Sequence, residues 1–325
     1  MVLKGKTILL TGGTGSFGQK FTRIVLDRCM PKAIRIFSRD ELKQWEMEKR
    51  FNSDERLRFF IGDIRDKERV ERAMDGVDIV VHAAALKQVP SCEYNPFEAV
   101  KTNIIGAQNL INAAIDHNIE RVIAISSDKA VNPVNLYGAT KMCMEKLFIA
   151  ANAYVGKSRR TKMSCIRYGN VVGSRGSIVP LFKEQKKTGV ITVTDKRMTR
   201  FWITLEGGVN FVLKCIEVMK GGEVFVPKIP SMRIMDMVKL LAPECKVKFI
   251  GIRPGEKIHE CLLTEDESRH TLEGKDFFVI EPEHSWWKAS KSKGIKVLPE
   301  EFRYTSDKNS NWLTIEKLRE MIKDL

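Results

Sequence analysis

Apolar residues in the first half of the chain come in short, nearly continuous runs that alternate with segments of helical period. The runs predict strands over residues 7–11, 33–37, 57–61, 78–84 and 121–126. The segments between and after them predict helices over residues 17–28, 41–50, 67–74, 97–118 and about 136–153. Such alternation builds a parallel sheet with right-handed crossovers, and continuous apolar strands indicate that helices cover both of its faces.

The alternation becomes less regular after Arg167, with no internal repeat and no low-complexity linker. Further strands are predicted over residues 190–194, 223–226, 247–250 and 277–280, and helices over 207–219, 234–241 and 314–322. The lysine- and serine-rich residues 288–293 predict a solvated loop. We therefore predict an α/β fold: a Rossmann-type, doubly wound parallel sheet of residues 1–166 plus about 203–229, with a smaller α/β substrate domain of about 167–202 plus 230–325.

The chain has 325 residues, of which 43% are hydrophobic and 30% are charged, as in globular rather than disordered proteins. No apolar run approaches the roughly 18 residues that a membrane span needs. The N-terminal run ends at Gly12 and Gly13, too early for the apolar core of a signal peptide. We therefore expect a cytoplasmic protein that does not associate with membranes.

Cysteine and histidine are placed in ways that do not suit metal binding. The seven cysteines form no C-x-x-C pair, and their number is odd, so we expect reduced thiols rather than disulfides or a zinc cage. The five histidines show no H-E-x-x-H spacing, and we expect no metal site. His82 lies within the apolar run VVHAAA and is interpreted as a core residue.

The formal net charge is +14, which raises the question of nucleic-acid binding. The positive charges are spread along the chain, and aromatic residues are not interleaved with them. We therefore expect no nucleic acid. A basic cleft for small polyanions, such as a nucleotide sugar or a dinucleotide, accounts for the charge equally well.

The first strand is followed by the string TGGTGSFG, residues 11–18, and then by a helix. Glycines at the turn permit a tight bend and a close approach of a pyrophosphate to the helix N-terminus, where free N–H groups favour anions. In this strand–turn–helix context the string predicts a dinucleotide site. The residues expected to contact the cofactor here are Gly12, Gly15, Ser16, Phe17 and Gly18.

The end of the second strand indicates which dinucleotide is bound. NAD enzymes usually place an acidic residue there for the ribose 2′-hydroxyl, whereas this chain has Ser38 and Arg39. A guanidinium suits a 2′-phosphate, which favours NADP. Asp40 is open to two interpretations, as that acidic residue or as the cap of the next helix. Further cofactor contacts are expected from Lys43, from the ends of the third and fourth strands and from a later segment: Asp63, Ile64, Ala83, Ala84 and Val171.

Tyr137 and Lys141 lie four residues apart and share one face of a predicted helix, shortly after Ser127. A phenol with a pKa near 10 needs roughly 4 kcal/mol to act as a base at pH 7. One ammonium at about 4 Å supplies about that much. The pair therefore predicts a tyrosine base activated by Lys141.

The glycine-rich turn and the Tyr137-x-x-x-Lys141 motif together resemble the extended short-chain dehydrogenase/reductase family, over nearly the whole chain. Three strings are more specific: FSRDELKQ (residues 37–44), SSDKAVNPVNLYGATK (126–141) and RYGNVVGSRGSIVPLF (167–182). They are similar to the soluble inverting UDP-N-acetylglucosamine 4,6-dehydratases, whose members open the route to pseudaminic acid. Non-inverting relatives often carry Met at the position of Tyr137, so the tyrosine favours the inverting branch.

The resemblance makes Asp128 and Lys129 the elimination pair of a hydro-lyase. Tyr137 would take the O4 proton, Lys129 the C5 proton, and Asp128 would protonate the C6 hydroxyl as it leaves. NADP would carry hydride from C4 to C6 and be regenerated. Two arrangements stay open for Asp128 and Lys129. Neighbouring residues of an extended segment point apart, which would let them flank the sugar, or the two residues form a surface salt bridge. The resemblance also implies a homo-oligomer, a dimer or a hexamer.

Substrate contacts implied by the same resemblance come mostly from the second half of the chain. Arg200 and Arg253 are expected to bind the diphosphate of UDP-N-acetylglucosamine through charge-assisted hydrogen bonds. The full set comprises Lys87, Asn170, Ser174, Arg175, Gly176, Ser177, Ile178, Val179, Thr194, Arg200, Arg253 and Glu256.

Two other functions stay open at this point. A nucleotide-sugar 4-epimerase or reductase of the same fold would not need Asp128 and Lys129. A dinucleotide-sensing regulator would keep the glycines but would need neither Tyr137 nor Lys141, so the complete set of residues argues against it.

Overall fold

The computed structural model describes residues 2–156, 159–174, 178–283 and 296–322. The predicted loop 288–293 lies outside these residues. The strands, in chain order, are β1 (Thr7–Thr11), β2 (Ala33–Ser38), β3 (Leu57–Ile61), β4 (Ile79–His82), β5 (Arg121–Ile125), β6 (Lys162–Ile166), β7 (Asn170–Val171), β8 (Val190–Val193), β9 (Thr199–Ile203), β10 (Val224–Pro227), β11 (Ser231–Arg233), β12 (Lys246–Phe249), β13 (Cys261–Leu263), β14 (Thr271–Glu273), β15 (Phe277–Ile280), β16 (Lys296–Val297) and β17 (Tyr304–Thr305).

The helices are α1 (Ser16–Arg28), α2 (Glu41–Arg50), α3 (Lys67–Met74), α4 (Val89–Tyr94), α5 (Pro96–Val100), α6 (Gly106–Asp116), α7 (Leu136–Ala151), α8 (Ile178–Lys186), α9 (Leu205–Val218), α10 (Ile234–Leu241), α11 (Glu265–Ser268) and α12 (Ile315–Ile322). A π-helical segment (Lys101–Ile105) joins α5 to α6, and a 3₁₀ turn (Asp128–Ala130) follows β5. None of the helices in the described ranges is both long and apolar enough to cross a membrane.

The large sheet has the strand order β16-β14-β15-β10-β6-β5-β4-β1-β2-β3. The strands from β10 to β3 are parallel, and the chain reverses its direction of travel across the sheet between β1 and β4. All five residues of β1 are buried, as expected for a strand covered on both faces. In such sheets the crevice at the carboxyl edge beside the reversal is the place where ligands bind. The predicted doubly wound parallel sheet is confirmed.

A first hydrophobic core lies on the large sheet, with Leu10 and Phe148 among its residues. A second core lies under a smaller group of elements. It includes Phe182 of α8, Ile191 of β8, Trp202 of β9 and Met237 of α10, all almost completely buried. Here β8 pairs with β12, while β9 pairs with both β7 and β11. These elements come from residues that the sequence assigns to the substrate domain.

The last part of the chain differs from the predicted domain division. Strands β14, β15 and β16 were grouped with the substrate domain, but they extend the large sheet in antiparallel fashion beyond β10. Phe278 and Ile280 of β15 pack into the first core. This addition protects β10, whose four residues are all buried, from being an exposed sheet edge.

Two element predictions for the first half also differ from the structure. The helix predicted over residues 97–118 is interrupted by the π-helical segment Lys101–Ile105. Strand β6, with the sequence KMSCI, was not predicted, because its apolar residues alternate with Ser164 and a leading lysine rather than forming a continuous run. It is nevertheless a central strand between β5 and β10.

The cysteines and His82 agree with the sequence analysis. All seven cysteines are free, and four of them are buried. His82 is buried, with Nδ1 2.8 Å from Thr11 Oγ1 and its ring stacked on Phe148 at a centroid distance of 5.9 Å. Burial lowers the pKa of His82 to about 3, so this ring is neutral in the folded protein at neutral pH.

Candidate active site

A cavity of about 1170 Å³ opens at the carboxyl edge of the large sheet, beside the reversal between β1 and β4. The glycine-rich turn, the ends of β2, β3 and β4, and the 3₁₀ turn after β5 form one side of it. Residues of the smaller group of elements, including Asn170 and Arg253, form the other side. The predicted site residues that line it are Gly12, Gly15, Ser16, Phe17, Ser38, Arg39, Asp40, Lys43, Asp63, Ile64, Ala83, Ala84, Lys87, Ser127, Asp128, Lys129, Tyr137, Lys141, Asn170, Val171, Ser174, Ile178, Arg200, Arg253 and Glu256.

The glycine-rich turn is built for close backbone approach. Gly12 has φ +68°, and a Cβ at this position would stand 2.9 Å from backbone atoms of Ala83 and Ala84. Gly15 is the N-cap residue of α1, and it lines the cavity together with Ser16 and Phe17 at the start of this helix. A glycine-rich turn at a helix N-terminus fits the pyrophosphate of a dinucleotide.

The end of β2 carries a fixed serine and an exposed arginine. Ser38 accepts hydrogen bonds from Gln44 Nε2 at both its carbonyl oxygen and its Oγ. Asp40 caps α2, because its Oδ1 accepts from the backbone N–H of Lys43 at 3.0 Å. The capping interpretation of Asp40 is therefore confirmed. Arg39 stays more than half exposed, with its guanidinium 3.7 Å from Asp63 Oδ2.

Asp128 and Lys129 form an ion pair, so of the two arrangements left open by the sequence the structure shows the salt bridge, with Asp128 buried rather than at the surface. Their segment is a 3₁₀ turn rather than an extended strand, since Ser127 Oγ accepts from the backbone N–H of Lys129 and caps the turn. The turn brings Lys129 Nζ to 3.1 Å from Asp128 Oδ1. Ser127 Oγ also donates to Asp128 Oδ1 at 2.8 Å.

The surroundings raise the pKa of both residues, but for different reasons. Burial raises the pKa of Asp128, and the charge of Lys129 offsets this only in part. Burial would lower the pKa of Lys129, but the carboxylates of Asp128 and Glu260 outweigh it and raise that pKa. Asp128 Oδ2 is buried and has no hydrogen-bond partner among the described residues. In this state Lys129 is an ammonium.

Tyr137 is not activated by Lys141 in the way that the sequence predicted. Burial raises the pKa of Tyr137 to about 12, and the first opposing influences are a hydrogen bond with Ser127 and the charge of Lys129. Lys141 Nζ instead donates to the carbonyl oxygen of Ile125 at 2.6 Å. Burial lowers the pKa of Lys141 to about 8. Ser127 thus acts on both neighbours: its Oγ donates to Asp128 Oδ1, and it opposes the rise in the pKa of Tyr137.

Glu260 is a member of the site that sequence reasoning missed. It lies directly before β13, lines the cavity and is 3% exposed. Its Oε1 is 3.3 Å from Lys129 Nζ and 3.5 Å from Arg200 Nε. The only sequence signal is a second acidic residue four positions after Glu256 in EKIHE, which has no recognisable spacing to Lys129.

The sequence and the structure of this chain match known proteins over most of its length. The family profile of polysaccharide biosynthesis proteins matches residues 8–282. The chain belongs to this family. A Campylobacter jejuni protein named UDP-N-acetylglucosamine 4,6-dehydratase (inverting) is 50% identical, and the match covers 99% of this chain and 98% of that protein. A Rickettsia canadensis protein named UDP-glucose 4-epimerase is 41% identical, over 98% and 95% of the two chains.

Two solved structures resemble this chain in fold. The X-ray structure of Pen from Bacillus thuringiensis superposes with a TM-score of 0.91 at 40% identity, covering 100% of this chain and 99% of that one. DesIV, a dTDP-glucose 4,6-dehydratase from Streptomyces venezuelae solved with NAD and TYD bound, superposes with a TM-score of 0.67 at 21% identity, over 78% and 86% of the two chains. This more distant likeness supports the Rossmann-type fold.

Some residues predicted for binding lie elsewhere in this polysaccharide biosynthesis protein. Val179 is buried in the second hydrophobic core, and Thr194 and Gly18 do not line the cavity. Arg200 lines the cavity, but its guanidinium already donates to the carbonyl oxygens of Thr199, Ile258 and Lys257. Residues 175–177, predicted as Arg175, Gly176 and Ser177 of the substrate site, lie outside the described residues.

Proposed function

We propose that this protein is a UDP-N-acetylglucosamine 4,6-dehydratase that inverts C5 and uses NADP as a regenerated hydride carrier. The observation that carries the proposal is the ion pair of Asp128 and Lys129, 3.1 Å apart, in the same cavity as Tyr137 and the glycine-rich turn. An acid and a base that lie side by side are what the removal of water across adjacent carbons requires. The Campylobacter jejuni relative supports this choice of substrate and reaction.

The glycine-rich turn, Ser38, Arg39 and Lys141 would hold the cofactor in this proposal. When bound, NADP would supply the hydride acceptor for C4 of the sugar and the hydride donor for C6. Arg39, exposed at the end of β2, would pair with the 2′-phosphate. Tyr137 takes the O4 proton. Burial raises the pKa of Tyr137 to about 12, and the hydrogen bond with Ser127 and the positive charge of Lys129 oppose that rise and so favour its role as base.

The ion pair supplies its own route to an acid and a base. One proton that moves from Lys129 Nζ to Asp128 Oδ1 over their hydrogen bond converts the pair into a neutral amine and a neutral carboxylic acid. No proton enters or leaves the site, so two separate pKa shifts are not needed. A dry site favours this step, since a neutral pair carries a smaller desolvation cost than an ion pair.

The elimination then returns the pair to its starting state. Lys129 takes the C5 proton, which the C4 ketone makes acidic, and becomes an ammonium again. Asp128 gives its proton to the C6 hydroxyl, which leaves as water, and becomes a carboxylate again. The protons taken up and released balance within each turnover. Tyr137, protonated in the first step, is the second donor that inversion at C5 requires.

The test is to incubate the pure protein with UDP-N-acetylglucosamine in D2O, without added cofactor, and to follow the product by proton NMR. The proposal expects a C6 methyl group, deuterium at C5 and an L-arabino ring. A D-xylo ring throughout the time course would assign the protein to the non-inverting branch. Lys129→Ala is expected to keep oxidation at C4 and to lose dehydration, because C5 deprotonation then has no positioned base.

A UDP-glucose 4-epimerase is the second candidate, favoured by the Rickettsia canadensis relative. It would need Tyr137 and the cofactor but no base at C5. The same NMR experiment with UDP-glucose separates the two, because epimerisation keeps the C6 hydroxyl and yields a product inverted at C4. The ion pair of Lys129 with the buried Asp128 has no role in that reaction, which is why the dehydratase is preferred.

The proposal has three further parts. The protein would act in the cytoplasm, as the first enzyme of pseudaminic acid biosynthesis, and the reaction would be that of a hydro-lyase. It would form a homo-oligomer, a dimer or a hexamer, which light scattering of the purified protein measures. It would bind neither nucleic acid nor membranes, despite its net charge of +14.

A further inference from the structure

Glu260 occupies a rigid position at the floor of the site. Its backbone N–H donates to Ser306 Oγ at 2.9 Å, and its carbonyl oxygen accepts from the backbone N–H of Ser306 at 2.8 Å. Ser306 Oγ in turn lies 2.6 Å from Thr199 Oγ1 of β9. These hydrogen bonds fix the backbone of Glu260, and therefore the position from which its side chain extends into the site.

The carboxylate itself joins two cations. Oε1 lies 3.3 Å from Lys129 Nζ and 3.5 Å from Arg200 Nε, while Oε2 is buried without a hydrogen-bond partner among the described residues. The guanidinium of Arg200 is held in place, because it donates hydrogen bonds to the carbonyl oxygens of Thr199, Ile258 and Lys257. Arg200 thus anchors Glu260, and Glu260 holds the tip of Lys129.

We infer that Glu260 is the positioning residue of Lys129: it holds Nζ beside Asp128 and stabilises the ammonium that forms when Lys129 takes the C5 proton. This inference rests on the proposed dehydratase function. At the moment of elimination Asp128 carries the transferred proton and is neutral. Glu260 is then the remaining carboxylate beside Nζ, in the relation that the buried aspartate of a catalytic triad has to its histidine.

Glu260 is suited to this role and not to that of a proton carrier. Burial alone would raise its pKa, but the charges of Lys129, Arg200 and Lys257 outweigh it and hold the pKa below its usual value. Asp128 shows the opposite shift. The proton from Lys129 therefore goes to Asp128, and Glu260 keeps its negative charge throughout.

Removing the charge of Glu260 should change the pH dependence of elimination in a defined direction. The titratable or charged groups that act on Lys129 Nζ are Asp128, Glu260 and Arg200, with Lys257 and Tyr137 beside them. Of these, Glu260 and Asp128 raise the pKa of Lys129. Without the carboxylate at position 260 the amine is a weaker base. It therefore takes the C5 proton more slowly. Protonation of Asp128 from solvent blocks the internal transfer and sets the acidic limb. Because Glu260 also raises the pKa of Asp128, that limb lies at lower pH without it.

The experiment compares Glu260→Gln with wild type in rapid mixing with UDP-N-acetylglucosamine. Reduced-cofactor absorbance reports oxidation at C4, and NMR of quenched samples reports dehydration. We expect oxidation within about twofold of wild type, dehydration at least about tenfold slower, and transient accumulation of reduced cofactor. The acidic limb of the dehydration rate should move to lower pH. Glu265→Gln is the matched control, since Glu265 is an exposed partner of Arg303 outside the cavity, and it should behave as wild type.

Equal slowing of oxidation and dehydration, or an acidic limb that stays in place, would overturn the inference in favour of a purely structural role. If Glu260→Gln does not fold, Glu260→Asp decides instead: it keeps the charge, so its acidic limb should stay near that of wild type while dehydration slows more than oxidation. Equal slowing in that variant rejects the inference as well. A wild-type enzyme that forms no dehydrated product rejects the proposed function itself, which is a separate result.

Discussion

Gly138 packs so tightly on the backbone of Lys129 that a Cβ at position 138 would stand 2.1 Å from the carbonyl oxygen of Lys129. The first turn of α7 and the 3₁₀ turn that carries the proposed acid and base are therefore in direct backbone contact. The N-cap of α7 fixes this arrangement, because Asn135 Oδ1 accepts from the backbone N–H of Gly138 at 2.7 Å. Gly138, which has no side chain, therefore fixes the position of Tyr137 relative to the backbone of Lys129.

Gly138→Ala should lower the free energy of unfolding by roughly 1–3 kcal/mol, the range for overpacking a close contact. The gain in helix propensity, about 1 kcal/mol, does not offset a clash with backbone. Dehydration should fall as well, because the turn must move. Denaturant unfolding and product NMR measure the two effects. Gly156→Ala is the control, since a Cβ there meets nothing within 4 Å; similar effects in both variants would contradict the explanation.

Arg39→Ala should weaken NADP binding by at least about tenfold and leave NAD binding nearly unchanged. The reason is that the guanidinium would contact only the 2′-phosphate, which NAD lacks. Isothermal titration with each dinucleotide measures this. Arg303→Ala, an exposed arginine paired with Glu265 away from the cavity, is the control. A wild-type preference for NAD, or equal weakening of both, would refute the NADP assignment.

Tyr137→Phe should abolish the reduced-cofactor signal that follows substrate addition while the protein stays folded, because the hydroxyl is the proposed acceptor of the O4 proton. The loss is expected to be about 100-fold or more, as for removal of a general base. Stopped-flow absorbance measures the signal, and circular dichroism checks the fold. Tyr154→Phe removes an exposed hydroxyl and serves as the control. A normal signal in the Tyr137 variant would mean that another group is the base.

His82 should make the protein less stable in mild acid. Its pKa is about 3 in the folded state and near 6.5 when unfolded, so below pH 6.5 the unfolded chain binds a proton that the folded protein does not. Stability from this residue is complete above pH 6.5 and falls by about 1.4 kcal/mol per unit as the pH drops toward 3. His82→Gln should reduce the loss of unfolding free energy between pH 7 and 5 by about 2 kcal/mol. Urea titrations at both pH values test this, with the exposed His117→Gln as the control; an unchanged loss in the His82 variant would contradict the assignment.

The sequence was most informative where a residue's neighbours along the chain decide its role. Strand β1 follows from its apolar run of Ile8, Leu9 and Leu10, and the cap at Asp40 follows from its place before α2. The pairing of Asp128 with Lys129 could not be predicted, because it depends on the hydroxyl of Ser127 capping a 3₁₀ turn in place of an extended segment.

Contacts between residues that lie far apart along the chain could not be predicted from the sequence. Glu260 meets Lys129 across 131 positions, and its own neighbours in EKIHE suggest only a polar loop. Lys141 follows the family motif, yet its contact with the carbonyl oxygen of Ile125 is set by how α7 packs on the end of β5. Burial of Tyr137 likewise arises from tertiary packing and reverses the pKa shift expected from Lys141 alone.

The antiparallel strands that cover β10 have a consequence for synthesis on the ribosome. At roughly 5–20 residues per second, the segment that carries β15 emerges several seconds after β10. Until then β10 presents an open, apolar edge to other nascent chains. In a chain truncated before β14 the edge of β10 would stay exposed. We expect such a fragment to self-associate rather than to remain a monomeric nucleotide-binding domain.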